Sequence, residues 1–391
     1  MSVHSKLLNK VFLINLPWQK IQRLLIRRLA GKPIHIMFLY VDHFEPWENT
    51  RIPEIAEQRV NDWLEKYPKF ARRHHDSNRN HPKHTWFYLI EDWKLKEYDA
   101  QFLQQLSGLC FENFGEIELH IHHGLSENSI FSDVHNSDTL RKHIEKLKRF
   151  YNQFGALITA EENPKSTYGF IHGKWALDNS MGGKYCGVNN ELQILNETGC
   201  YADFTMPSGI QSQSRKINAL YYAKDDPERP KSFNTGFSMK KGGKAQGDLL
   251  MFTGPVDIYF NNIFNSHSII EKSNLDKKDL PFDYRIRRWI AAGIHVKNQP
   301  EWIFVKVHTH GARNENSIVN YDEWAERLFT YLEDNFNDGK NYQLHYVSAR
   351  EAYNIAKAAE AGLEGNPEDF RDFLIKPYRN MKFKIDLKNE K

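Results

Sequence analysis

The chain has 391 residues, 40% of them hydrophobic and 26% charged, which is the make-up of a globular protein with a sizeable core. A formal charge of +3 is too small to make nucleic acid the main partner. Three cysteines, Cys110, Cys186 and Cys200, without a C-x-x-C spacing, fit neither a disulfide framework nor a thiolate zinc site, and they point to a reducing, cytoplasmic setting.

In chain order, residues 7–29 come first. They mix large apolar side chains with Lys10, Lys20, Arg23, Arg27, Arg28 and Pro17, too many interruptions for a spanning helix. A small-residue cleavage site and a long apolar stretch, the marks of a secretory signal, are both missing. Ile21, Leu24, Leu25 and Arg28 fall at helical spacing. The segment therefore reads as a basic amphipathic helix that either makes a peripheral contact with an acidic membrane surface or packs on the protein's own body. Residues 1–32 are set apart as this N-terminal segment.

From residue 34 onward one event recurs: a short apolar run ends in polar, chemically capable residues. The runs are 34–41, 84–90, 116–124, 168–175, 200–207, 248–255, 302–311 and 343–349. Continuous runs rich in Ile, Val, Phe and Tyr suit parallel strands covered on both faces. Helical patterns lie between them, clearest over 140–154, 321–336 and 349–362, with Gly362 as a stop. The predicted fold is α/β, a distorted or incomplete (β/α) barrel of seven to eight strands over residues 33–362. Residues 209–247 are an insertion and 363–391 a basic C-terminal tail. An open doubly wound sheet is the alternative, though no Gly-rich loop follows the first strand.

A barrel gathers its chemistry just past the strand ends on one face. Asp42, His43 and Glu45 follow the first run, and His120, His122 and His123 close the third. His172 and Trp175 follow the fourth, Asp203 lies in the fifth, and His308 and His310 end the seventh. Residues two apart in a strand share a face, so each H-x-H pair aims both imidazoles one way. Two neutral imidazoles, a carboxylate and an open position make a common catalytic metal site. Asp42, after eight mostly apolar residues, must be paired, metal-bound or proton-shuttling, or else cap the next loop. Glu45 reads equally as a second acid or a loop residue. Trp47 and Trp175 are candidates for stacking on a sugar face or for plain wall residues. Lys306, inside an apolar run, should point outward or pair, and Asp178 and Asn179 should cap or turn.

These motifs, in this order over roughly residues 34–350, resemble the polysaccharide deacetylase (NodB-homology) superfamily. VDHFEP (41–46), HTWFY (84–88), EIELHIHH (116–123), FIHGKWAL (170–177) with TGCYADFTMP (198–207), and KVHTHG (306–311) stand in for the family's successive motifs. The resemblance implies a distorted barrel that uses a divalent metal, zinc foremost, to deacylate sugars. It implies Asp42 as general base, His43 and His120 as metal ligands, and His308, or His310 in its place, as general acid. Gly124 stands where the family's second metal histidine belongs, so His122 or His123 must substitute. His43 replaces a second aspartate, and Ile171 an arginine, marking a divergent branch whose members with such motifs are associated with surface polysaccharides.

The expected activity is thus metal-dependent removal of an N- or O-acetyl group from a carbohydrate or polysaccharide. Metal ligands would be His43, His120 and His122. Catalysis would fall to Asp42, His308 and His310, and substrate contacts to Glu45, His172, Trp175 and Asp203. Two rivals stand beside it: a glycosidase using Asp42 and Glu45 with Asp203 or Asp257 across the cleft, and a non-catalytic glycan-binding scaffold. Nothing in the sequence speaks to oligomeric state.

Overall fold

A computed structural model describes residues 33–123, 135–158, 163, 167–260 and 268–377. The basic segment 7–29 lies outside the described residues. Among those described, no helix is long and apolar enough to cross a membrane.

The elements follow one another as β1 (Ile34–Phe44), α1 (Pro53–Ala71), β2 (His84–Tyr88), α2 (Lys96–Phe111), β3 (Gly115–Ile121), α3 (Ser137–Asn152), β4 (Tyr168–His172), α4 (Glu191–Glu197) and β5 (Cys200–Asp203). Then come β6 (Leu220–Ala223), β7 (Gly236–Ser238), β8 (Leu249–Phe252), β9 (Asp257–Phe260), β10 (Ser268–Glu271), α5 (Asp283–Ala292), β11 (Trp302–Thr309), α6 (Glu323–Phe336), β12 (Tyr342–Tyr346) and α7 (Ala349–Glu360). Each of the eight apolar runs forms a strand.

Local chemistry sets the helix ends. Pro53 opens α1, where a missing N–H costs nothing, with Glu54 against the positive helix end. Capping boxes start α3 (Asn136 with Thr139) and α7 (Ser348 with Glu351). Gly293 stops α5 in the left-handed conformation at φ 57°, and Gly362, at φ 88°, follows the end of α7.

The sheet runs β11-β1-β2-β3-β4-β5-β8-β6-β7, with β12 also on β1. Pairing is parallel from β11 through β8, and β12 is parallel to β1 as well. β1 is long enough to hold β11 along one edge and, along the other, β12 beside Ile34–Phe38 and β2 beside Tyr40–Phe44.

The sheet is open, in keeping with the expected incomplete barrel, but it has ten strands rather than seven or eight. The cause is the 209–247 excursion, which returns as β6 and β7. β6 pairs antiparallel with β8 and occupies the edge that would otherwise meet β11. Side chains span the gap instead. Phe252 lies between Phe204, at 5.1 Å, and Phe304, at 5.4 Å between ring centroids. Lys306 turns inward from β11, 1% exposed, and donates to the Phe204 carbonyl. It pairs rather than pointing outward.

The body of the fold continues past residue 362. Arg371 donates to the Tyr346 carbonyl and to Glu351 and Asp76, and Ile375 is buried. Residues 363–377 therefore pack on the sheet, and 378–391 lie outside the described residues.

Glu118 sits in β3 with both faces covered. Tyr201 and the Gly169 amide donate to its carboxyl, yet burial pushes its pKa up to about 8. The folded state therefore holds a proton that the unfolded chain loses near pH 4.5. Stability from this group is complete below that pH and declines as pH rises toward 8, by a few kcal/mol at most. Glu118→Gln should flatten the decline in melting temperature between pH 5 and 8. An unaltered slope in the variant would show that Glu118 is not the titrating group.

Candidate active site

β1 decides the layout of the site because its side chains alternate across the sheet. Asp42 and His43 are adjacent and therefore face opposite ways. Asp42, 0% exposed, turns toward α1. Its Oδ2 lies 2.9 Å from His84 Nε2, and its Oδ1 accepts from the Gly311 amide at 2.6 Å. Gly311 is needed there, since a Cβ would collide with the Asp42 carboxylate and Trp63. The expected role of Asp42 as a base in the pocket is corrected: the carboxylate locks the β11 exit to β1 and β2.

His43 and Glu45 face the other way, into a pocket of about 480 Å³ lined also by Trp175, Glu271, Arg285, His308 and His310. Glu45, only 6% exposed, is the hub. Its Oε1 lies 3.0 Å from His120 Nε2 and 3.2 Å from His122 Nε2, and those two nitrogens are 3.2 Å apart. The ligating atoms of Glu45, His120 and His122 lie within 4.8 Å of one another, as do those of His43, Glu45 and His310. His43 stacks on His310 at 4.8 Å and 18°, and meets His120 edge-on at 4.9 Å. His308 stands 6.3 Å from His43. The imidazoles of β1, β3 and β11 thus converge as expected. Glu45, expected as a substrate contact, is instead the carboxylate at their centre.

The tautomer of His120 matters for what this cluster can hold. Its Nδ1 is 2.9 Å from the Ile171 carbonyl and must donate to it. Nε2 is then a bare lone pair facing a carboxylate oxygen, and two acceptors at that distance require a proton or a cation between them. Protonation is disfavoured around it. Burial holds His43 well below the usual imidazole range, with His310 and His120 adding to it. Burial likewise lowers His122, His308 and His310. Burial alone would raise Glu45, but the neighbouring imidazoles of His120 and His122 outweigh it and keep the carboxyl well below its usual range. A carboxylate among imidazoles is a donor set suited to a divalent cation such as zinc.

Trp175 lies 5.3 Å from His43 and 5.6 Å from His310, and forms the pocket wall. It follows β4 through Lys174, and both residues hold φ 53°. Left-handed backbone at two successive non-glycine residues costs about 1–2 kcal/mol each. Gly173, just before them, packs so closely on the His122 ring that a Cβ would overlap it.

Two expected substrate contacts lie elsewhere. His172 points away from Glu45 and meets His123 Nε2 at 2.9 Å. Asp203 is 1% exposed and accepts from the Thr205 amide and hydroxyl at 3.0 and 2.6 Å. Among the remaining sequence candidates, Trp47 is a fully buried core residue donating to Asp99. Asp178 accepts from the Ser232 amide and hydroxyl, both at 2.5 Å, and so fastens a turn. Asp257, offered as a carboxylate across the cleft, is held by Arg288 at 2.7 Å. His84, Gly311, Glu191 and the Glu271–Arg285 pair carry no functional motif in the sequence. Only His84, within an apolar strand, left a signal there.

No family model matches the chain, and no curated protein matches it. Among solved structures it is similar to a 4-alpha-glucanotransferase from Thermococcus litoralis, with a TM-score of 0.42 and 13% identity, over 80% of this chain and 39% of that one. The chain thus spans well under half the length of that protein.

If Asp42 is a structural lock, Asp42→Asn should lower stability by about 1–3 kcal/mol, the cost of unpairing a buried donor. Divalent-cation affinity, read by calorimetric titration, should stay unchanged. Full stability combined with lost cation binding would return Asp42 to the metal site.

Proposed function

We propose that the protein is a metal-dependent hydrolase that removes an acyl group from a carbohydrate. The observation that carries this reading is Glu45 ringed by imidazoles from three strands at the floor of a polar pocket. The substrate class draws support from the pocket's aromatic rim. Phe282 and Tyr284, each 39% exposed, stack at 6.0 Å and 10°, and Trp175 faces the interior. Such faces suit sugar rings. The order of motifs resembling the polysaccharide deacetylases points the same way.

Glu45 with His120 and His122, or Glu45 with His43 and His310, would hold the cation, with zinc matched to either nitrogen-rich set. When bound, the metal would supply Lewis acidity, acidifying water and polarising the acyl oxygen. The chain's own groups do the rest. His308 lines the pocket, is held neutral by burial, and its Nδ1 has no hydrogen-bond partner among the described residues. A neutral imidazole there takes the proton of the attacking water as the new C–O bond forms. It then returns that proton to the amine or alkoxide that leaves as the acyl bond breaks. This makes His308 base first and acid second, in place of Asp42. Arg285, bound through Nε and Nη2 to the two oxygens of Glu271 at 2.7 and 2.8 Å, gives the opposite wall a fixed shape. Trp175 excludes water beside His43 and His310.

A second reading, glycosidic cleavage, draws on the carboxylates Glu45, Glu48, Glu271, Asp276 and Asp279 around the pocket. It requires a free acid and a free base on opposite sides of the bond. Glu48 is paired through both oxygens with Arg313 at 2.5 and 2.6 Å, and Glu271 is held by Arg285, which favours the acyl reading.

Incubation with acetylated chito- and xylo-oligosaccharides should release acetate. Chelator should abolish the release and zinc or cobalt restore it, and Glu45→Gln should lower it by at least about 100-fold. New reducing ends without acetate would select glycosidic cleavage. Neither product from the metal-loaded protein would sink both readings.

A further inference from the structure

A second constellation lies behind the pocket wall, separate from Glu45. His122 and His123 are neighbours just past β3 and diverge: the first turns to Glu45, the second to Glu191 at the start of α4. His123 Nε2 lies 2.6 Å from Glu191 Oε1 and 2.9 Å from His172 Nε2, and His172 Nε2 lies 3.4 Å from Glu191. Cys186 Sγ lies 3.4 Å from the other carboxylate oxygen. All four residues are buried, and their ligating atoms fall within 4.8 Å of one another.

We propose that His123, His172, Cys186 and Glu191 form a structural zinc site, distinct from the site at Glu45.

Three physical features support it. The first is orientation. His172 Nδ1 is 2.6 Å from the Gly173 carbonyl and donates to it, which leaves Nε2 a lone pair aimed at the cluster. Metal-bound histidines are commonly held in this way by the other ring nitrogen. The same arrangement holds His120 in the Glu45 site, through the Ile171 carbonyl. The second is charge. A dication with one carboxylate, one thiolate and two neutral imidazoles sums to zero, the condition under which charged groups tolerate full burial. The third is size. Tetrahedral donors bonded at about 2.0–2.3 Å stand about 3.3–3.7 Å apart, so His123, His172 and Glu191, now 2.6–3.4 Å apart, need to spread by less than about 1 Å, and the Cys186 sulfur already lies within 4.8 Å of them. Four protein donors and no access to solvent describe a closed, structural site rather than a catalytic one.

The position gives the site a purpose. Its donors come from the end of β3, the end of β4, the connecting loop and the start of α4. They enclose the segment that carries Lys174 and Trp175 in left-handed backbone. An ion here would hold that strained segment in place and thereby fix Trp175 against His43 and His310. The inference does not depend on which reaction the Glu45 pocket performs.

The test uses the full chain loaded with zinc or cobalt. Zinc X-ray absorption of the wild type should show a sulfur scatterer at about 2.3 Å. The cobalt form should show a thiolate-to-metal charge-transfer band in the near ultraviolet. Cys186→Ser should abolish both signals and remove one metal equivalent per chain, whereas Glu45→Gln should preserve the sulfur signal while losing acetate release. Should Cys186→Ser fail to fold, the wild-type absorption spectrum decides alone. Only nitrogen and oxygen around the metal, no metal bound at all, or a thiolate band that survives Cys186→Ser would each overturn the proposal. Absence of acetate release from the zinc-loaded wild type, with its sulfur signal intact, would count against the acyl-hydrolase reading and leave the zinc site standing.

Discussion

β1 is buried over its whole length, with β11 along one edge and β12 and β2 sharing the other. Every polar side chain it carries must therefore find a partner inside the protein, because an unpaired buried carboxylate or imidazole is costly. The alternation of the strand divides those partners into two sets. Asp42 goes to His84 and the Gly311 amide, and His43 and Glu45 go to the histidines of β3 and β11. One face of the strand exit is thereby a structural lock and the other a reactive floor. The registry of both depends on a single strand, so the two cannot drift independently.

The parallel strands were legible because strands covered on both faces are largely apolar, and the stretches 34–41 and 302–307 contain little else. The long helices were less so. α2 buries Asp99 and Ser107 among its apolar residues, and α5 carries Asp283, Arg285, Arg287 and Arg288 within ten residues. In both, the 3.6-residue pattern is blurred by polar groups that tertiary partners satisfy. The antiparallel β6 and β7 lie in a stretch whose Ser, Lys and Gly content reads as loop, and they are what keeps the sheet from closing.

At the site, the strand-end histidines showed themselves in sequence because imidazoles are rare guests in apolar runs. The direction of Asp42 was available from the two-residue period, yet a motif resemblance that groups adjacent acids assigned it to the pocket. Glu191 and Cys186 left no trace of this kind. Glu191 opens a short helix far along the chain from His123, and a single cysteine without a nearby partner carries no spacing signal. What joins them is the fold of the loop after β4, which no local pattern encodes.

The open sheet has a further consequence at its free border. β7 spans only Gly236–Ser238 and leaves Phe237 half exposed. Unpaired backbone on such a margin can template another chain. Here the run is three residues long and is followed, after Met239, by Lys240, Lys241 and Lys244. A ladder that brief gives an incoming copy few hydrogen bonds, although Lys241 is already paired with Glu364. The molecule thereby forgoes the seamless rim of a closed cylinder while still discouraging its copies from joining edge to edge.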